Sequence, residues 1–332
     1  MINKELFRRD KKHMLTVDIH GAPLVFHSDQ KLIVENLRRN LKYFASGNTA
    51  PRKGLAAHCS LSILKQADYA GLKKLYRPRK TFEAFPGVRA TFGAIGDSPV
   101  YEIKSSCFII LDDRTNDCAC VLRRPRNKKI IHTDFVVHIL IIEWLRSKGL
   151  FFIHSSGISR DGDAYLFIGP SGSGKTTASL MGIQRGMSFM GDDLLIVKET
   201  GGKITVHSFI EEVKFCLDMT GRFRELGGMK NRKAKTMKFD VKKYFDVKIS
   251  DKASVAGLYF LNKGNTLRKL KTNEALPLIM NSSFFHSRED ATLRHFEILC
   301  RLIDSTESYM VGRSFLNRHM DRLTGSKPGS MR

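Results

Sequence analysis

Acidic residues are in short supply in this chain. It has 33 Asp and Glu against 56 Lys and Arg over 332 residues, a formal net charge of +23. That imbalance says nothing about fold. It favours a polyanionic partner (nucleic acid, an anionic membrane surface or an acidic protein), with a soluble surface tuned by a basic proteome as the plain alternative. Cysteine is sparse and unpatterned: Cys59, Cys107, Cys118, Cys120, Cys216 and Cys300. One C-x-C pair without a second pair is a poor zinc ligand set, and on a strand Cys118 and Cys120 would share a face as packing residues. The pattern is that of a reduced, cytoplasmic protein. Long apolar runs are missing too. The greasiest stretch, residues 135–145, contains His138, Glu143 and Trp144 and is too short to span a bilayer. The basic start MINKELFRRDKK is not followed by a signal-type apolar core, so no membrane span is expected. Repeats are absent. The basic peaks, around Lys73–Lys80, Arg123–Lys129 and Lys230–Lys243, have almost no interleaved aromatics, which argues against stacking on single-stranded nucleic acid.

Against this background one segment is dense with information: Gly169, Pro170, Ser171, Gly172, Ser173, Gly174, Lys175 and Thr176, with Thr177 next. All fixed positions of a phosphate-binding loop are filled. Residues 164–168 read as a buried strand entering it and residues 176–185 as the helix leaving it. The glycines let backbone N–H groups turn toward a polyphosphate, Lys175 supplies a charge for the outer phosphates, and Thr176 offers a hydroxyl to Mg²⁺. The helix aims its positive end at the same anion. A chance glycine-rich turn would not require the flanking strand and helix. ATP or GTP binding is therefore expected.

Around the loop, a hairpin is predicted over residues 14–26, a helix over 29–44 and a strand over 58–64. Residues 65–98, rich in Gly, Pro and basic side chains, read as a loop or weakly ordered segment. Residues 101–111 and 118–122 read as paired strands, and 133–147 as an apolar helix that opens the nucleotide-binding part. The expected division is a β-rich part over 1–130, a core over 131–312 and a partly disordered tail over 313–332. After the loop come a strand at 187–190, the pair Asp192-Asp193, strands at 194–197, 203–207 and 256–261, a helix at 287–303 and an edge strand at 309–311.

Phosphoryl transfer needs a phosphate cradle, a metal held by oxygen ligands and a group that orients the nucleophile. A crossover helix and one strand would return Asp192 and Asp193 to the loop. One carboxylate would then hold Mg²⁺ with Thr176 and the other would accept a hydroxyl proton. An ordinary Asp-Asp turn has the same spacing. His154 precedes the strand that enters the loop. It would reach either the carboxylates or the outer phosphate, or serve as a packed or capping residue.

The run FIHSSGISRDGDAYLFIGPSGSGKTTASLMGIQRGMSFMGDDLLIV resembles the catalytic core of the HPr serine kinase family. The shared order is His154, Gly157-Ile158, the loop, Arg185-Gly186 and Asp192-Asp193, over about residues 150–198, with weaker similarity to about 265. The resemblance implies an α/β fold: a P-loop kinase core of the HPr kinase and phosphoenolpyruvate carboxykinase type, behind a β-rich α+β N-terminal part. It assigns Asp192 as the base toward the acceptor hydroxyl, Asp193 and Thr176 to Mg²⁺, Lys175 to the β- and γ-phosphates and His154 to the reacting phosphate. The family's Glu-hydrophobic-Arg-Gly signature has its nearest counterpart in Glu212-Val213-Lys214-Phe215. That makes Glu212 a metal-ligand candidate, although Lys214 and Phe215 stand where the family has Arg and Gly. Glu211 and Glu212 otherwise read as solvated strand-end acids.

The expected function is transfer of the γ-phosphoryl group of ATP, with Mg²⁺, to a hydroxyl. The expected acceptor is Ser of a protein or peptide, of acidic character in view of the basic segments. A small-molecule kinase and a nucleic-acid-binding P-loop ATPase are the alternatives. The latter lacks a helicase-like second arginine motif. Family members are often homo-oligomers, a property that the divergent front part does not carry over.

Overall fold

Residues that alternate between apolar and polar build most of this chain into sheets, and a computed structural model describes residues 4–8, 10–45, 56–85, 88–104, 106–112, 115, 117–123, 134–216, 221–228, 235–283 and 289–324. It is a mixed α/β protein that divides into two units: residues 1–148 with 286–288, and residues 149–285 with 289–332.

The first unit contains β1 (His13–Ile19), β2 (Ala22–Ser28), α1 (Lys31–Asn40), β3 (Ala57–Leu64), α2 (Gln66–Leu75), β4 (Arg77–Phe85), β5 (Val88–Ile95), β6 (Ser98–Ile103), β7 (Cys107–Asp112), β8 (Asp117–Arg123) and α3 (Asp134–Ser147). Its strands form one eight-stranded sheet in the order β1-β2-β3-β8-β7-β6-β5-β4. The expected first hairpin is present. His20 and Gly21, at φ 53° and 84°, make the two-residue turn whose twist matches the strands. One sheet face carries Val100, Phe108, Ile110, Ala119 and Val121 under Tyr69 and Tyr76, whose rings pack on Phe108. The other face carries Cys59, Cys107, Cys118 and Cys120, all buried. Cys59 and Cys118 are partners across β3 and β8, and the Cys107 and Cys120 sulfurs lie 3.6 Å apart. Shared packing thus accounts for the C-x-C pair.

Residues 65–98 are not the expected loop. They supply α2, β4 and β5. The punctuating residues have local reasons that leave the strands intact. Pro78 lies on β4, the outermost strand, where a missing N–H is tolerated. Gly93 is required because a Cβ there would stand 2.2 Å from the Arg77 carbonyl oxygen. Arg77, Arg79 and Lys80 are exposed, and charge on an outer strand discourages edge-to-edge pairing. The strand expected at 101–111 is broken by Lys104, at φ 49°, into β6 and β7.

The second unit contains β9 (Leu150–Ile153), β10 (Ser155–Arg160), β11 (Asp163–Ile168), α4 (Lys175–Ile183), β12 (Ser188–Gly191), β13 (Leu195–Thr200), β14 (Lys203–His207), β15 (Val213–Cys216), β16 (Thr236–Phe239), α5 (Val241–Tyr244), β17 (Lys252–Asn262), β18 (Leu267–Lys269), α6 (Thr272–Asn281), α7 (Glu289–Ser305), β19 (Ser308–Gly312) and α8 (Arg313–Thr324). The main sheet runs β12-β10-β11-β17-β14-β13-β9, with β19 also on β17 and β18 on β19. β17 is its spine, parallel to β11 on one side and to β19 on the other. Alternation along β11 explains the layers. Ala164, Leu166 and Ile168 face α6 and α7 through Ala275, Ile279, Leu299 and Leu302. Tyr165 and Phe167 share the opposite core with Ala178 of α4 and with Leu316 and Met320 of α8.

Three expectations about boundaries change. The unit boundary falls at 148/149, so α3 sits with the first unit rather than opening the second. β19 is paired on both sides and is not an edge strand. Residues 313–324 form a helix, kinked at His319 and anchored by Leu316 and Met320, instead of a tail, because its apolar face has a sheet to cover. Residues 325–332 lie outside the described residues. Among the described residues no helix is long and apolar enough to cross a membrane.

Candidate active site

The phosphate loop joins β11 to α4 at the C-terminal end of a strand inside a parallel pair, the edge where α/β sheets hold ligands. Gly172 and Gly174 have φ of 78° and 108°, and a Ser173 N–H to Pro170 carbonyl bond of 3.1 Å closes the turn. Ser156 of β10 donates to the Lys175 carbonyl at 2.8 Å and fixes the start of α4.

Lys175 is almost fully buried. Its Nζ turns back onto the loop, donating to the Gly169 carbonyl at 2.8 Å and the Pro170 carbonyl at 3.4 Å. Burial pulls its pKa down, while Asp193 and Asp192 pull the other way, so both aspartates lie within electrostatic reach of the ammonium.

The aspartate pair occupies the turn between β12 and β13. Asp192 is 7% exposed, and the Thr176 hydroxyl meets its two oxygens at 2.9 and 3.1 Å. Burial, then the charge of Asp193, pushes its carboxyl up to about 8, against the Thr176 hydrogen bond and Lys175. Asp193 has the left-handed φ of 70°, a conformation that Asp tolerates better than most residues and one that occurs at functional turns. Its side chain is 56% exposed and its Oδ1 lies 3.5 Å from His154 Nε2. Burial works to raise its pKa, but His154, Lys175 and Lys214 outweigh it, and the carboxyl stays below the usual range. One aspartate is therefore proton-bearing near neutrality and the other ionised.

His154 follows β9 and precedes β10. Its backbone N–H donates to the Ser282 carbonyl at 2.7 Å, at the end of α6. A strand, β10, lies between it and the strand that enters the loop, and it meets Asp193 all the same. The residues brought together are thus His154, Lys175, Thr176, Asp192 and Asp193. Glu212 is half-buried just before β15. Among the described residues no three His, Cys, Asp or Glu side chains converge as a metal cluster.

A nucleotide and Mg²⁺ can be judged against these atoms. Ser173 Oγ is buried without a hydrogen-bond partner inside the loop. Lys175 satisfies itself only on loop carbonyls. Thr176 and the aspartates offer hard oxygen donors of the kind Mg²⁺ takes beside phosphate and water. The residues fit the pair. Sequence reasoning missed Ser156, Lys214 and Arg313, whose Nη2 donates to the Gly172 carbonyl at 3.1 Å. Ser156 sits within the His-Ser-Ser-Gly run beside His154, but Arg313 lies 141 positions from its partner and had no local signal.

No family model and no curated protein matches this chain. Among solved structures it is similar to the Hpr(Ser) kinase/phosphatase from Coxiella burnetii, at 14% identity and a TM-score of 0.31 over 52% of this chain and 92% of that one.

Proposed function

We propose that the chain is an ATP-dependent phosphotransferase of the HPr-kinase-like P-loop type that phosphorylates a hydroxyl, most simply Ser of an acidic protein or peptide segment. The observation that carries this reading is the bond between Thr176 of the phosphate loop and buried Asp192. It ties a polyphosphate cradle to a carboxylate able to take a proton near pH 8.

The residues divide the work. Gly172 to Thr177 hold the polyphosphate with their amides and hydroxyls, and Lys175 leaves its loop carbonyls for the outer phosphate oxygens. Asp193, ionised, and Thr176 would hold Mg²⁺, which when bound would offset charge on the phosphates. His154 orients Asp193. In its ionised form, which the Thr176 hydrogen bond and Lys175 favour, Asp192 stands as base toward the acceptor: the hydroxyl oxygen forms the new bond to the γ-phosphorus, ADP leaves, and the hydroxyl proton passes to the Asp192 carboxylate. An acidic acceptor suits the β15–β16 hairpin. Lys214 and Lys238 are exposed and stand directly opposite each other, so two positive side chains leave the hairpin at one register position.

The test is transfer of label from γ-labelled ATP into fractions of the native lysate. Wild-type protein should label a defined product, Lys175→Ala should lose nucleotide binding, and Asp192→Asn should keep binding and lose transfer. No labelled product in any fraction, protein or small-molecule, would sink the proposal.

A further inference from the structure

Arg313 is the first residue of α8, a poor place for a cation, since the N-terminal end of a helix is already positive. Its partner is a carbonyl oxygen, that of Gly172 at 3.1 Å, not a carboxylate. The guanidinium also lies along the neighbouring turn of the loop. A Cβ on Gly174 would stand 3.3 Å from Arg313 Nε, and Gly174 is left-handed besides. The backbone leaves Arg313 little choice of position. Gly312 N–H donates to the Thr266 carbonyl at 2.8 Å and Ser314 N–H to the Gly264 carbonyl at 2.9 Å, so the residues on either side of Arg313 are both pinned. Leu316 and Met320 anchor α8 in the core it shares with α4.

In the ligand-free chain two cations grip the carbonyls of this loop: Lys175 at Gly169 and Pro170, and Arg313 at Gly172. Lys175 is the cation that the loop motif assigns to the outer phosphates, and so the one to let go when phosphates arrive. Two cations and the N-terminus of α4 then meet at one turn, an arrangement whose self-repulsion a polyanion relieves.

We propose that Arg313 is a positioning residue of the nucleotide site. Its guanidinium braces the phosphate loop at Gly172 and adds its charge to the field that receives the polyphosphate, so that the loop keeps its shape after Lys175 moves onto the ligand. This rests on the nucleotide-binding half of the reading above and not on phosphoryl transfer.

Calorimetric titration of the full chain with ATP, ADP and inorganic tripolyphosphate tests it. Arg313→Ala should weaken all three about tenfold, with an unchanged melting temperature in the absence of ligand, and Arg313→Lys should recover to within about threefold. If Arg313→Ala fails to fold, Arg313→Gln replaces it. That side chain keeps a donor for Gly172 and loses the charge, and should bind about threefold more weakly. Wild-type affinity for tripolyphosphate in Arg313→Ala or Arg313→Gln would overturn the proposal, as would Arg313→Lys binding no better than Arg313→Ala. A wild-type chain that binds none of the three probes would instead overturn the nucleotide reading itself.

Discussion

Each unit holds one set of buried polar side chains that stands out, and the two sets are hidden for opposite reasons. In the first, the buried heteroatoms on one sheet face are thiols: Cys59, Cys107, Cys118 and Cys120. Burial raises the Cys59 and Cys107 thiols far above their usual range, which keeps them neutral, and neutral sulfur packs like a small hydrophobe. In the second, the buried groups are Lys175 and Asp192, whose charged forms are costly where they sit. The thiol face hides groups that tolerate hiding. The other unit holds groups whose discomfort is relieved by a ligand, which is how a site for chemistry differs from a core.

Asp192→Asn should separate the two cases most sharply. Turnover of ATP should fall about a thousandfold, within the range for loss of a general base. Stability should move the other way. Folded Asp192 keeps its proton to about 8 against 3.8 for the ordinary carboxyl, so between those values the folded chain binds more protons than the unfolded one. The Asp192 contribution is therefore full below pH 3.8 and is lost as pH rises through about 8. Asn escapes that loss, and the ligand-free variant should melt a few degrees higher than wild type at alkaline pH, with a smaller gap near pH 5. A variant destabilised at alkaline pH would break the comparison.

Phe108→Ala is the counterpart in the first unit. The ring lies under Tyr69 and Tyr76, and its removal should cost about 3–5 kcal/mol. Scanning calorimetry with and without ATP should show the loss in the transition that ATP does not shift. Next in size is His154→Gln, which removes the imidazole beside Asp193 and should reduce turnover about tenfold while Asp193 protonates at higher pH, readable by carboxyl NMR. The smallest effect is expected for Cys120→Ala. It leaves a small gap beside the Cys107 sulfur and should cost about 1 kcal/mol in urea unfolding, with nucleotide affinity unaltered.

The phosphate loop was legible because its glycines, Lys175 and Thr176 are contiguous and the chemistry fixes their spacing. The flanking strand and helix followed from their apolar runs. The aspartate pair was legible as a pair, and its unequal roles came only with the family resemblance; the physical cause was not legible, because the burial of Asp192 and the partnership of Asp193 with His154 depend on β13 pairing with β9 and on the end of α6 holding His154. The segment over residues 65–98 misled because glycine and proline carry the same letters on an outer strand as in a loop. What decided Gly93 was the carbonyl of Arg77, brought alongside by the β4–β5 ladder. Arg313 was out of reach for a similar reason, since nothing near it in the chain announces a partner 141 positions earlier.

That separation has a consequence for how the protein is made. The ribosome delivers the glycine turn early and its arginine strut late, so a nascent chain can complete the strand–turn–helix long before α8 emerges. Until then, of the two cations on the turn's carbonyls, only its own lysine is in place. A premature stop just before position 313 would yield a protein with its phosphate motif spelled out in full and one of its two supports missing.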